Sequence, residues 1–248
     1  MIGIVGGLGP YSGLDITKKI IDETAARSDQ EHLPLLLFSC PHLIPDRKAY
    51  LLDTSNENPG KAIASVLQKL EMAGATIAAI PSNIVNAEPI FSVVKEEIAR
   101  TGSTLQLLHI VHETVRFVDE NYPDNMVGVI STAGEQLYSL YRQAFIEKGF
   151  DVVTPEGTEQ EKVNNAIYDA EYGIKAQPVP IANKAREDLL SAMDDLKKKG
   201  AQVIILGCAE LPLAIPERDY NGMIIIDPNR ILARALIHAV APDKLKPL

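Results

Sequence analysis

The chain has no tryptophan, five phenylalanines and two cysteines in 248 residues. Two cysteines cannot build a disulfide framework, so stability must come from a packed core, and both thiols read as reduced, which suits the cytoplasm. No apolar run reaches the roughly 18 residues that a membrane span needs. The first apolar run starts at Ile2, so no signal peptide is expected. Excess positive charge is missing as well: 24 Lys and Arg face 33 Asp and Glu, for a net charge of −9. That balance offers no footprint for nucleic acid. An anionic ligand would need a local cationic pocket, because the overall field repels it.

What the chain does have is a repeat. MIGIVGGLGP opens it and MVGVISTAGE begins at residue 126, aligning Met1, Gly3 and Gly9 with Met126, Gly128 and Gly134 at an offset of 125. EMAGATIAAIPSN (71–83) aligns with KKKGAQVIILGCA (197–209) at an offset of 126, pairing Gly74 with Gly200 and Ser82 with Cys208. Apolar runs at 2–5, 34–38, 76–80, 104–108, 126–130, 151–153, 202–206 and 223–226 alternate with helical patterns. Those patterns lie at 11–26, 60–73, 88–100, 110–121, 134–148, 159–174, 180–199 and 228–240. Alternation of this kind predicts an α/β protein with parallel strands covered by helices on both faces. With the duplication, it predicts two pseudo-symmetric flavodoxin-like lobes whose doubly wound parallel sheets face a central cleft. The expected division is 1–102 with 224–248, and 103–223, the last helix returning to the first lobe. Active groups belong at the carboxyl ends of such strands, near the topological switch point.

Cys208 follows VIILG and sits where a buried strand turns into a helix. Backbone N–H groups at a helix start stabilise a thiolate, whereas burial opposes it; the plain alternative is a small buried hydrophobe. Ser82, its repeat partner, is a far weaker acid, so it relays a proton with help, holds a water, or merely caps a turn. Asn83 is a donor to a carboxylate or a turn residue. The loop GGLGP offers the amides of Gly7 and Gly9 to an anion. It is not a dinucleotide fingerprint, since position 12 is Ser and no acidic residue ends the second strand. Thr132, with Ser131, supplies donors in the equivalent second loop. Arg47, in IPDR, can grip a carboxylate bidentately or lie on the surface; the same two readings apply to Lys162. His109 and His112 share a helix face without a third ligand, and Cys40 and His42 stand alone, so no metal site is expected. Ser82 lacks the elbow of a Ser–His–Asp hydrolase.

Taken together these residues resemble the aspartate/glutamate racemase family, which uses no pyridoxal phosphate. The likeness runs over nearly the whole chain, through IGIVGGLGP, IPDR (44–47), LHI (108–110), EQEKV (159–163), GAQVIILGCAELPL (200–213) and IDP (226–228). The resemblance implies two cysteines flanking the substrate α-carbon, one removing the proton and the other returning it on the far face. Cys208 matches the second. The first belongs to a C-N-T-A-H motif that here reads SNIVN (82–86), so Ser82, Ile84 and Asn86 replace the thiol, the Thr and the His. Ala209 and Glu135 replace further threonines, while Asn83, Thr132 and Glu210 are retained. The resemblance assigns Arg47 and Lys162 to the side-chain carboxylate, and Asn83 and Thr132 to the α-carboxylate. It implies racemisation of an acidic amino acid, aspartate before glutamate, without cofactor or metal, in a homodimer. Two rivals stay open. One is a one-base decarboxylase or isomerase of a malonate- or maleate-like acid, as in the arylmalonate decarboxylases. The other is an acidic amino-acid binding protein without turnover.

Overall fold

The computed structural model describes residues 1–132 and 135–248, without the side chains of 135–139. Gly134 and the Glu135 side chain, both singled out above, therefore lie outside the described residues. The chain divides into two compact units, Met1–Glu113 with Asn229–Leu248, and Thr114–Pro228.

The first unit holds β1 (Ile2–Gly6), α1 (Pro10–Glu23), β2 (Leu35–Ser39), α2 (Arg47–Leu52), α3 (Gly60–Met72), β3 (Ile77–Ala79), α4 (Glu88–Arg100), β4 (Gln106–Leu108) and the start of α5 (Ile110–Asn121). Its four strands are parallel in the order β2-β1-β3-β4. Every residue of β1 is buried, as an interior strand covered on both faces requires. In α3 the buried residues Ile63, Val66, Leu67 and Leu70 fall three and four apart, so one stripe faces the core. Each such isoleucine or leucine, fully buried, contributes about 1.5–3 kcal/mol of apolar transfer.

The second unit holds β5 (Val127–Ile130), α6 (Glu135–Glu147), β6 (Val152–Val153), α7 (Gly157–Tyr168), α8 (Asn183–Lys198), β7 (Val203–Leu206), α9 (Leu211–Ala214), β8 (Asp219–Tyr220) and β9 (Met223–Ile226). Its order, β6-β5-β7-β9-β8, repeats that of the first sheet and adds β8 antiparallel to β9. This sheet is therefore parallel except at one edge. The core here joins Ile204 and Leu206 of β7 to Leu189, Met193 and Leu196 of α8 and Val163 and Ile167 of α7.

In each unit the sheet order reverses between its first and third strands. Ser82 follows β3 and Cys208 follows β7, so the repeat partners occupy equivalent strand ends beside the switch points.

Three expectations shift. Hydrogen bonding puts β4 beside β3 and β9 beside β7, which moves the divisions from 102 to 113 and from 223 to 228. Arg47, expected in a loop, starts α2, because Asp46 caps that helix by accepting from the N–H groups of Lys48 (2.8 Å) and Ala49 (2.9 Å). The helix predicted over 159–174 stops at Tyr168. Its last helix, α10 (Pro228–Val240), belongs to the first unit. There Asn229 donates to Ser12 (3.2 Å) and Asp15 (2.9 Å), and Arg234 pairs with the buried Glu23 at 2.5 Å.

Candidate functional site

The first unit brings Gly7, Gly9 and Arg47 together. Gly7 and Gly9 take φ of 87° and 111°, conformations costly for any residue with a Cβ. A Cβ on Gly7 would meet the Pro41 nitrogen at 2.7 Å, so the loop also needs its bareness for packing. Pro10 then opens α1 at its first position, where its missing N–H costs nothing. The Arg47 guanidinium reaches this loop, with Nη2 donating to the Leu8 carbonyl at 3.4 Å.

Ser82 and Asn83 lie at the end of β3, 3% and 8% exposed. Ser82 precedes a 3₁₀ turn, Asn83–Asn86, yet its hydroxyl does not cap that turn. Nor does it cap α4, the helix expected from 87 onward, whose N-cap is Ala87 without a side-chain bond, so neither plain capping role applies to Ser82. The backbone around it is pinned instead. Ser12 Oγ donates to the Pro81 carbonyl at 2.7 Å, and Asn86 Nδ2 donates to the Ser82 carbonyl at 2.8 Å.

His109 stands one strand over, after β4. Its ring meets Phe91 edge-on at 4.7 Å and stacks on His112 at 3.9 Å. Burial first, then the neighbouring His112, depress its pKa from the ordinary 6.5 to about 4. Between those values the unfolded chain takes up a proton that the folded chain refuses, so this residue's stability is full above about 6.5 and drains away as pH falls toward 4. Urea unfolding of wild type is expected to lose roughly 2 kcal/mol from pH 7 to pH 4.5 that a His109→Asn variant does not lose. Equal slopes for both proteins would contradict the buried neutral ring.

The second unit assembles the densest chemistry. β7 ends at Leu206, and Gly207 donates its N–H to the Ile130 carbonyl of β5 at 2.7 Å. A Cβ on Gly207 would come within 2.9 Å of that same oxygen, so the close strand approach needs glycine here. Cys208, partly buried, comes next, and its S–H donates to Glu210 Oε2 at 2.9 Å. The other Glu210 oxygen pairs with the Lys175 ammonium. Lys175 lies 5.7 Å over the Tyr168 ring, and the buried Thr132 side chain sits beside the Tyr168 phenol. Cys208, Glu210, Lys175, Tyr168 and Thr132 thus form one connected cluster.

Its charges settle one another. Burial, reinforced by the Glu210 charge and hydrogen bond, pushes the Cys208 thiol well above its ordinary range. The helix start expected to favour a thiolate is only the four-residue α9, and burial wins. Burial pushes the Glu210 carboxyl up most strongly, but the Lys175 charge, the hydrogen bonds from Cys208 and Lys175 and its own backbone N–H together hold the group below the usual carboxylate range. Lys175 in turn is lowered by burial and raised further by Glu210, ending above its ordinary value. The resting cluster is therefore a neutral thiol on a carboxylate that an ammonium compensates.

Lys162 is not part of this cluster. Its ammonium meets Glu159 at 2.7 Å and Ser191 of α8 at 2.9 Å, while Ser191 donates to the second Glu159 oxygen at 2.9 Å. The cation beside Cys208 is Lys175, which sequence reading missed. It lies in the irregular segment after α7, where no periodicity marks it. Thr158 and Glu161, spaced as in a capping box, both lie inside α7, whose N-cap is Glu156. Ser131 Oγ is buried and finds no hydrogen-bond partner among the described residues, and Gln160 Nε2 donates to the Ser131 carbonyl at 3.0 Å. Among the described residues no three His, Cys, Asp or Glu side chains come together as a metal ion would require. No helix among them is long and apolar enough to cross a membrane.

Residues 5–236 match the family model described as Asp/Glu/Hydantoin racemase. The broad specificity amino-acid racemase RacX of Bacillus subtilis is 26% identical over 242 residues, covering 96% of each chain. Among solved structures, the aspartate racemase of Picrophilus torridus superposes with a TM-score of 0.77 at 24% identity, covering 96% of this chain and 93% of its own. The glutamate racemase of Francisella tularensis, solved with D-glutamate, gives 0.63 at 18% identity, covering 100% and 83%. The two-sheet α/β fold is shared with both. With the match running over nearly its full length, this chain belongs to the Asp/Glu/hydantoin racemase family of isomerases.

Proposed function

We propose that this chain is a cofactor-independent racemase of an acidic amino acid, acting on aspartate ahead of glutamate. The observation that carries the reading is the Cys208 thiol hydrogen-bonded to Glu210, with the Lys175 ammonium on the same carboxylate. A racemase needs a group that can both take and give a proton at the α-carbon. A single sulfur does both: as a thiol it hands its proton to the carbanion, and the thiolate so formed takes the α-proton in the reverse direction. Lys175 lets the carboxylate sit charged beside the sulfur and gives an acidic substrate an attractive group in a chain whose net charge repels it. In this reading Lys175 replaces Lys162 as partner of the side-chain carboxylate, together with Arg47. Asn83, Thr132 and the amides of Gly7 and Gly9 hold the α-carboxylate, on which charge builds as the α-proton leaves. The relative named for broad amino-acid specificity supports an amino-acid substrate, and the one named for aspartate supports an acidic one.

Ser82 stands on the opposite face of the α-carbon in this scheme. A hydroxyl lies many pKa units above a thiol, and each unit costs about 1.4 kcal/mol. Ser82 therefore passes a proton through a water or as a hydrogen-bond donor, and the two directions of racemisation run at unequal rates. The same substitution favours a second reading, a one-base enzyme in which Cys208 alone performs proton transfer on a malonate-like acid. The homodimer implied by resemblance and the cytoplasmic location suggested by reduced thiols belong to this proposal too, and sedimentation of the purified chain tests the first.

Chiral chromatography of L- and D-aspartate and of L- and D-glutamate, incubated with protein dialysed free of pyridoxal phosphate, tests the proposal. Conversion of aspartate, faster than of glutamate, is expected. No conversion of either, with decarboxylation of a malonate, would favour the one-base reading. Ser82→Cys is expected to raise the slower direction about tenfold or more, since it supplies the missing thiol. No gain would place the deficit in Ile84 and Asn86 instead.

A further inference from the structure

We infer that His109 is a positioning residue that fixes the Ser82 turn. Its ring works on two sides at once. His109 precedes α5, and its carbonyl accepts the first helical hydrogen bond, from Glu113 N–H at 3.0 Å. On the same side Nδ1 accepts from the His112 N–H at 3.3 Å, which is the N-cap arrangement. That bond fixes the tautomer, because an accepting Nδ1 leaves the proton on Nε2. The donor side of the ring faces the Asn86 backbone carbonyl.

Asn86 passes the restraint on. Its side chain donates to the Ser82 carbonyl at 2.8 Å, in a buried setting. Strand register makes the reach possible, since Ala79 of β3 pairs with Leu108 of β4, leaving Ser82 and His109 just past adjacent strand ends. Phe91, on the helix that follows the turn, closes the ring's edge at 4.7 Å. The restraint on Ser82 is thus two-sided: Ser12 holds the Pro81 carbonyl from α1, and His109 acts through Asn86 from β4. Residues that cap a helix are common, but an Asn, Ser or Asp at this position would cap α5 and still fall short of Asn86. Only a ring with an acceptor on one edge and a donor on the other serves both.

The catalytic part of this inference rests on the racemase reading, and the test separates the two. His109→Asn keeps an N-cap for α5 and removes the tie to Asn86; His109→Asp serves if that protein does not fold. Hydrogen–deuterium exchange of backbone amides is compared in wild type and variant. Exchange in residues 83–87 is expected to rise about tenfold, the worth of one lost hydrogen bond, with α5 unchanged. Unchanged exchange at 83–87 overturns the inference whatever the activity. In parallel, α-hydrogen exchange of L- and D-aspartate in D₂O is followed for both proteins. The enantiomer whose proton faces Ser82 is expected to slow about tenfold, and the other less than twofold. Equal slowing of both would make His109 a structural residue only and overturn its positioning role. Wild type inactive on both enantiomers would sink the racemase reading and leave the amide exchange to decide the tie.

Discussion

Cys208→Ala is expected to slow α-hydrogen exchange of aspartate by about 10³-fold or more, the upper range for a lost general acid–base group. The reason is local. The sulfur is the hydrogen-bond neighbour of Glu210, and without it the carboxylate stays paired with Lys175 rather than meeting the α-proton. Cys208→Ser should not restore the rate, because the hydroxyl is much the weaker acid and each pKa unit costs about 1.4 kcal/mol. Folding should survive both changes, since Cys208 only borders the β7 core and the Lys175–Glu210 pair needs no sulfur. Deuterium incorporation by NMR, with circular dichroism melting as a control, checks this. Exchange at the wild-type rate in a folded Cys208→Ala protein would strip the thiol of its role.

Lys175→Met is expected to raise KM for aspartate about 10- to 100-fold, the cost of losing one charge-assisted hydrogen bond. It has a second, independent readout. Lys175 pulls the Cys208 thiol downward in pKa against burial and Glu210, so its loss should raise that pKa further. Alkylation of Cys208 by iodoacetamide at pH 8 should then be slower in the variant than in wild type, because only the thiolate reacts. Lys162→Met should change neither quantity, since Lys162 is tied to Glu159 and Ser191. If Lys162→Met raised KM and Lys175→Met did not, the assignment of the substrate cation would reverse.

The fold was legible because buried parallel strands carry continuous apolar runs and the chain repeats itself. IGIVG and VIIL need no partner information to be recognised as interior strands, and the repeat by itself assigns Ser82 and Cys208 to equivalent strand ends. Short elements escaped. Single-turn α9 and two-residue β8 are held by their surroundings rather than by periodicity, and α2 depends on one capping aspartate. Lobe divisions slipped because β4 and β9 are indistinguishable from their neighbours until strand pairing is known.

At the site, residues flanking strands were visible and residues from irregular backbone were not. Glu210 lies two positions from Cys208 and came with its motif. Lys175 lies 33 residues away in a segment with turns on both sides, and only folding brings it to Glu210. For His109 the sequence shows only a helix face without a third metal ligand, because its meaning lies in which nitrogen faces α5 and which faces Asn86.

The central claim is that one sulfur serves one face of an acidic α-carbon while Ser82 marks the other. Wild-type protein in D₂O, given pure L-aspartate and pure D-aspartate in separate tubes, tests it when deuterium content and handedness are read from the same samples. The account predicts that deuterium appears in the inverted product from both starting enantiomers, with unequal initial rates. Deuterium gained without any inversion, or no deuterium from either tube, would contradict it.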